Sequence, residues 1–121
     1  MSRMKTLCTL VAAGAVAILA TTATAGQAVT KLVGTVGPGF TISLKKNGVK
    51  VTTLKPGSYM FVVSDKANIH NFQVKGPGLN KAITSVSFVG TKTVTLTLKA
   101  GTYTYFCVPH QSSIHGSFKV A

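Results

Sequence analysis

Apolar and polar residues alternate with a period of two through much of this chain, the signature of strands with one buried face. The cleanest case sets Val94, Leu96 and Leu98 against Thr93, Thr95 and Thr97. Phe40, Ile42 and Leu44 alternate with Thr41, Ser43 and Lys45 in the same way, and His70, Phe72 and Val74 with Asn71, Gln73 and Lys75. Further strands are predicted at residues 29–36, 49–54, 58–64, 102–108 and 116–120, with an edge strand at 85–89 inside the weakly patterned stretch 79–90. Tyr59, Phe61 and Val63 take one face of their strand and Met60 and Val62 the other. Apolar residues on both faces predict a strand inside a sheet.

Turn residues punctuate the pattern. Gly37-Pro38-Gly39, Pro56-Gly57, Gly76-Pro77-Gly78 and Ala100-Gly101 each end a run, because glycine permits positive φ and proline cannot donate to a ladder. Asn47-Gly48 is the two-residue signal of a tight hairpin. Thr53-Leu54-Lys55-Pro56-Gly57-Ser58-Tyr59 is echoed by Thr97-Leu98-Lys99-Ala100-Gly101-Thr102-Tyr103, which reads as one turn-into-strand solution used twice. Seven or eight short strands, without a helical pattern of useful length, predict an all-β antiparallel Greek-key sandwich.

Composition and length sharpen this picture. Hydrophobic residues make up 45% of the 121, too many for a disordered chain, and the length suits one domain. Residues 1–25 read as a secretory signal peptide: Arg3 and Lys5 supply positive charge, residues 7–20 an apolar run, and Ala23-Thr24-Ala25 a cleavage site. The other reading, a retained anchor, is disfavoured because that run is shorter than the about 20 residues a membrane-spanning helix needs. The expectation is an exported protein, periplasmic or extracellular, with a single domain over residues 26–121.

Losing Arg3 and Lys5 with the leader takes the formal charge from +12 to about +10, with Asp65 the sole acid. Such a surface favours anionic partners, either an acidic redox protein or an anionic membrane surface. Solubility alone accounts for the charge equally well. The lysines are spread singly or in pairs without interleaved aromatics, so nucleic acid is not an expected partner. A monomer is the expected state.

Export also changes the cysteine arithmetic. Cys8 leaves with the leader, and Cys107 then has no partner within the chain. In an oxidising compartment a lone thiol is an intermolecular disulfide, a small buried hydrophobe or a metal ligand. Its surroundings favour the last. Cys107-Val108-Pro109-His110 places a histidine just past the end of a strand, where the chain turns back, and His70 is the only upstream histidine able to join it. One thiolate and two imidazoles in a trigonal array suit a type 1 copper ion, whereas zinc would want a fourth strong ligand. Without a metal, His70 would be a hydrogen-bonded core histidine.

His70-Asn71 followed by Cys107-x-x-His110 resembles the plastocyanin/azurin family of small blue copper proteins, the cupredoxins. The resemblance implies a cupredoxin-like sandwich holding one copper on His70, Cys107 and His110. It also implies that Asn71 ties the two ligand loops together, and that the outer edge of His110 is the port for electrons. The family's pattern continues with Met-x-Gly before the last strand, and here the methionine is missing. Counting from Cys107 puts its position at His115; aligning on the glycine puts it at Ile114. Ile114 shares strand parity with Gly116, Phe118 and Val120, and His115 with Ser117 and Lys119. Parity therefore favours Ile114, a residue that cannot ligate, over His115 as a fourth ligand.

A soluble one-electron carrier is the function this implies. The alternatives are a copper chaperone or buffer, and a metal-free structural sandwich. The chaperone is disfavoured because only Met60 remains as a thioether beyond the leader. An enzyme is not expected. The chain offers no carboxylate pair, too few histidines for further copper centres, and no orienting partner for a Cys107–His110 nucleophile.

Overall fold

The computed structural model describes residues 28–121 together with Gly14. The leader predicted over residues 1–25 otherwise lies outside the described residues. Among those residues no helix is long and apolar enough to cross a membrane.

The strands are β1 (Thr30–Val36), β2 (Ile42–Lys46), β3 (Val49–Lys50), β4 (Thr53–Leu54), β5 (Gly57–Asp65), β6 (Gln73–Gly76), β7 (Leu79–Ala82), β8 (Gly90–Leu98), β9 (Gly101–Phe106) and β10 (His115–Val120). They form two five-stranded sheets, ordered β3-β2-β1-β5-β8 and β4-β10-β9-β6-β7. The β-sandwich predicted from the alternation is therefore present, and β5 lies inside its sheet. Two of the pairings are parallel, β1 with β5 and β10 with β4. Parallel neighbours need a crossover rather than a hairpin, and the excursion through β2, β3 and β4 supplies one between β1 and β5.

Hairpin chemistry sets the local geometry. Asn47 and Gly48 both adopt positive φ, 49° and 76°, the requirement of a two-residue turn whose twist matches its strands. Lys46 accordingly sits opposite Val49.

Ten strands form among the described residues, against seven or eight expected, and the departures fall at three places. The run 49–54 splits in two. Buried Val51 and Leu54 are three residues apart, an odd spacing that one strand cannot place on a single face. The chain changes sheet between them: Val51 N donates to Leu44 O at 3.0 Å, whereas Lys119 N donates to Thr52 O at 2.9 Å. The edge strand forms at Leu79–Ala82 instead of 85–89. Its residues are half-buried or exposed, so it carries no alternation to read, and it is held by four register pairs to β6. Phe40 is not in a strand at all; it precedes β2 and is exposed.

The core lies between the sheets. Phe61, Val63, Leu32, Leu44 and Val36 come from one inner face, and Phe72, Val74, Tyr103, Tyr105, Phe118 and Val120 from the other. Aromatic rings run through the second face as a stack: Phe72 on Tyr105 at 5.8 Å, Tyr105 on Phe118 at 6.3 Å, and Phe118 on Tyr103 at 5.3 Å. Gly116 makes room for it, because a Cβ there would fall on the ring end of Tyr105. The stack begins at Phe72, two residues from His70, and so anchors one ligand segment to the body of the fold.

Candidate metal centre

Two segments at one end of the sandwich converge. The first is the loop before β6, where His70 is fully buried and Asn71 nearly so. The second follows β9: Cys107, fully buried, precedes a 3-10 turn at Val108–His110 that begins with Pro109 near its start. His110 N donates to Cys107 O at 3.2 Å, and Ile114 N to His110 O at 2.8 Å. Cys107 N then donates to Ile114 O at 3.1 Å, which closes the loop on itself before β10 starts. Proline at the head of a short helix costs no hydrogen bond and fixes φ, so the sequence Cys-Val-Pro-His brings its imidazole back over its thiol.

The three donor atoms form a compact triangle. Cys107 Sγ lies 3.6 Å from Nδ1 of His70 and 3.6 Å from Nδ1 of His110, and the two Nδ1 atoms are 3.2 Å apart. A triangle with those sides has its centre about 2.0 Å from each corner, within the range of bonds from transition metals to imidazole nitrogen. The two imidazoles aim the same nitrogen at one point beside the Cys107 sulfur. Among the described residues, His70, Cys107 and His110 are the group able to hold a metal ion.

Asn71 joins the two segments. Its Oδ1 accepts from Val108 N at 2.7 Å, and its Nδ2 donates to Gln73 Oε1 at 3.3 Å. On the other flank, Thr84 Oγ1 accepts from Phe72 N at 2.9 Å. Thr84 is fully buried and was not singled out by the sequence, because a threonine in a weakly patterned loop gives no signal. His70 Nε2 is buried without a hydrogen-bond partner among the described residues, as is Asp65 Oδ2.

Residues 42–121 match the copper binding proteins of the plastocyanin/azurin family. The chain belongs to this family. A plastocyanin/azurin-family chain with this donor set takes copper as its cofactor, and soft thiolate with two imidazoles is the ligand chemistry of a type 1 site.

The fold of this family member is also that of solved blue copper proteins. Auracyanin A, described as a "blue" copper protein from the green thermophilic photosynthetic bacterium Chloroflexus aurantiacus, is 20% identical with a TM-score of 0.53, over 78% of this chain and all of that one. Reduced rusticyanin is 24% identical with a TM-score of 0.51, over 75% of this chain and 76% of its own. Rusticyanin from Thiobacillus ferrooxidans is 27% identical with a TM-score of 0.48 over the same shares. No curated protein matches the chain.

The remaining candidates of this cupredoxin separate cleanly. Ile114 is buried in the core cluster at 1% exposure. His115 is exposed, and its Nδ1 is bonded to Gln111 O at 2.8 Å. Phe40, expected in a strand, lies instead against the rings of both His70 and His110. Its alternation with Thr41 and Ser43 looked like strand pattern; the glycines on either side of Pro38 were the signal that the chain there is still a loop.

Proposed function

We propose that this protein is an exported type 1 copper protein that carries single electrons between redox partners. The observation that carries the reading is the triangle of Cys107 Sγ and two Nδ1 atoms, closed to metal-bonding size without any rearrangement of the chain. Copper, when bound, supplies a one-electron couple between Cu(II) and Cu(I).

The residues around it serve that task in distinct ways. The loop closed by Cys107 N and Ile114 O fixes thiol and imidazole in one rigid unit. Asn71 locks that unit to the His70 segment, its Oδ1 accepting from the N–H of Val108, the residue after Cys107. Ile114 occupies the position where family members carry methionine and offers no donor atom; its burial supports this assignment. An apolar side chain there disfavours Cu(II) and raises the reduction potential. His115, turned outward and bonded to Gln111 O, is left without a role in the site. His110 is half-buried while His70 is fully buried, so the His110 edge is the route for electrons.

Lysine-rich charge with a single acid supports an acidic redox partner, steered by long-range attraction that salt screens. The test is voltammetry and stopped flow on the copper-loaded protein. A reversible one-electron wave is expected, with oxidation by ferricyanide slowing as ionic strength rises. An irreversible wave, with copper lost on reduction, would instead identify a storage or delivery module.

A further inference from the structure

The rings of Phe40, His70 and His110 form a near-equilateral triangle. Their centroids are 5.2 Å apart for Phe40 and His70, 4.8 Å for Phe40 and His110, and 5.1 Å for His70 and His110. Every pair is close to perpendicular, at 75°, 75° and 78° respectively. Edge-to-face contact is the arrangement that aromatic quadrupoles favour. Two of these rings carry the donor nitrogens; the third carries none and is 60% exposed. An exposed phenylalanine is by itself ordinary. Two perpendicular contacts with two ligand rings at once are not.

The loop that holds Phe40 is built against the same ligand. Gly37 N donates to Thr41 O at 2.9 Å, closing a short loop with Phe40 near its tip. Gly37 itself has φ of +74°, and a Cβ there would lie 3.2 Å from His70 Cδ2 and 3.1 Å from Ala67 Cβ. The loop at Gly37 therefore leaves no room for a side chain between it and His70, and the Phe40 ring packs on the same imidazole. Metal-bound imidazoles are ordinarily oriented by a hydrogen bond from the outer nitrogen to a carboxylate, carbonyl or water. The outer nitrogen of His70 has no such partner among the described residues.

We propose that Phe40 is a positioning residue for the metal centre: its ring fixes the two imidazoles against each other, supplying by packing the orientation that His70 does not obtain from an outer hydrogen bond. The inference rests on the copper reading above and adds a residue that has no donor atom to offer the metal. Its exposure means that the fold does not depend on it.

The experiment compares Phe40→Ala, Phe40→Leu and Phe40→Tyr with the unaltered protein by competition with a Cu(I) chelator and by the Cu(II) electron paramagnetic resonance spectrum. Loss of an orienting contact is expected to weaken copper binding about tenfold in both Phe40→Ala and Phe40→Leu. The same two variants should show a broadened or shifted Cu(II) spectrum. Phe40→Tyr, which keeps the ring, should retain both properties, and the melting temperature of the copper-free protein should be unchanged in all three. Unaltered copper affinity and spectrum in Phe40→Ala, or in Phe40→Leu, overturns the proposal. An unaltered protein that binds no copper would instead sink the copper reading, so the two failures are told apart by the control.

Discussion

Ile114 and His115 are neighbours in the chain and opposites in environment. The isoleucine is in the core with its carbonyl clamping Cys107 N, and the histidine faces solvent. A strand that starts at this point allows no other outcome, since successive side chains leave on opposite faces. The reading that Ile114 stands in the methionine position makes a direct prediction. Methionine is close to isoleucine in volume, so Ile114→Met should cost less than about 1.5 kcal/mol of stability. It should lower the reduction potential by at least about 59 mV, a tenfold shift in a one-electron equilibrium. A potential that stays or rises would reassign the position. At this scale the sequence was legible where chemistry and spacing coincide: Cys107-x-x-His110 and His70-Asn71 name the donors outright. Phe40 was not legible, because a ring that packs on ligands from a loop looks the same in sequence as one that packs in a core.

The echoed stretches explain how two strands are launched into opposite sheets. Tyr59 OH donates to Lys55 O at 2.6 Å and Tyr103 OH to Lys99 O at 2.9 Å. In each case the intervening glycine has a positive φ, 151° at Gly57 and 146° at Gly101. One device thus turns the chain into β5 and into β9, and it places Tyr59 and Tyr103 as the first large side chains of the core. Tyr103→Phe removes the donor and keeps the ring, so it should cost about 1 kcal/mol in chemical denaturation, with the copper spectrum untouched. No loss of stability would mean that the ring alone makes the corner. Elements with strong alternation or diagnostic turns, such as β8, β10 and the Asn47-Gly48 hairpin, could be read from residues alone. The sheet change between Val51 and Leu54, and the half-buried or exposed edge strand β7, could not. Both depend on which neighbour the backbone finds: the odd spacing of Val51 and Leu54 breaks the strand without naming the sheet each half joins, and β7 has no alternation to read.

As a whole the molecule joins a cationic exterior to a stiff interior. Its single acid, Asp65, is buried at the end of β5 with Oδ1 accepting from Ala67 N at 3.2 Å. No acidic side chain therefore remains on the surface of the described residues to pair with the lysines. The stack from Phe72 through Tyr105 and Phe118 to Tyr103 runs from the ligand loop into the sandwich. One sheet thereby ties together the segments that carry His70 and Cys107, which is what a centre that changes charge without changing shape requires. The most direct test of that centre is the visible absorption of the purified protein on stoichiometric addition of Cu(II), alongside Cys107→Ser. The account predicts an intense thiolate-to-copper band in the unaltered protein and its loss in Cys107→Ser. A colourless protein, or a band that survives the substitution, would contradict it.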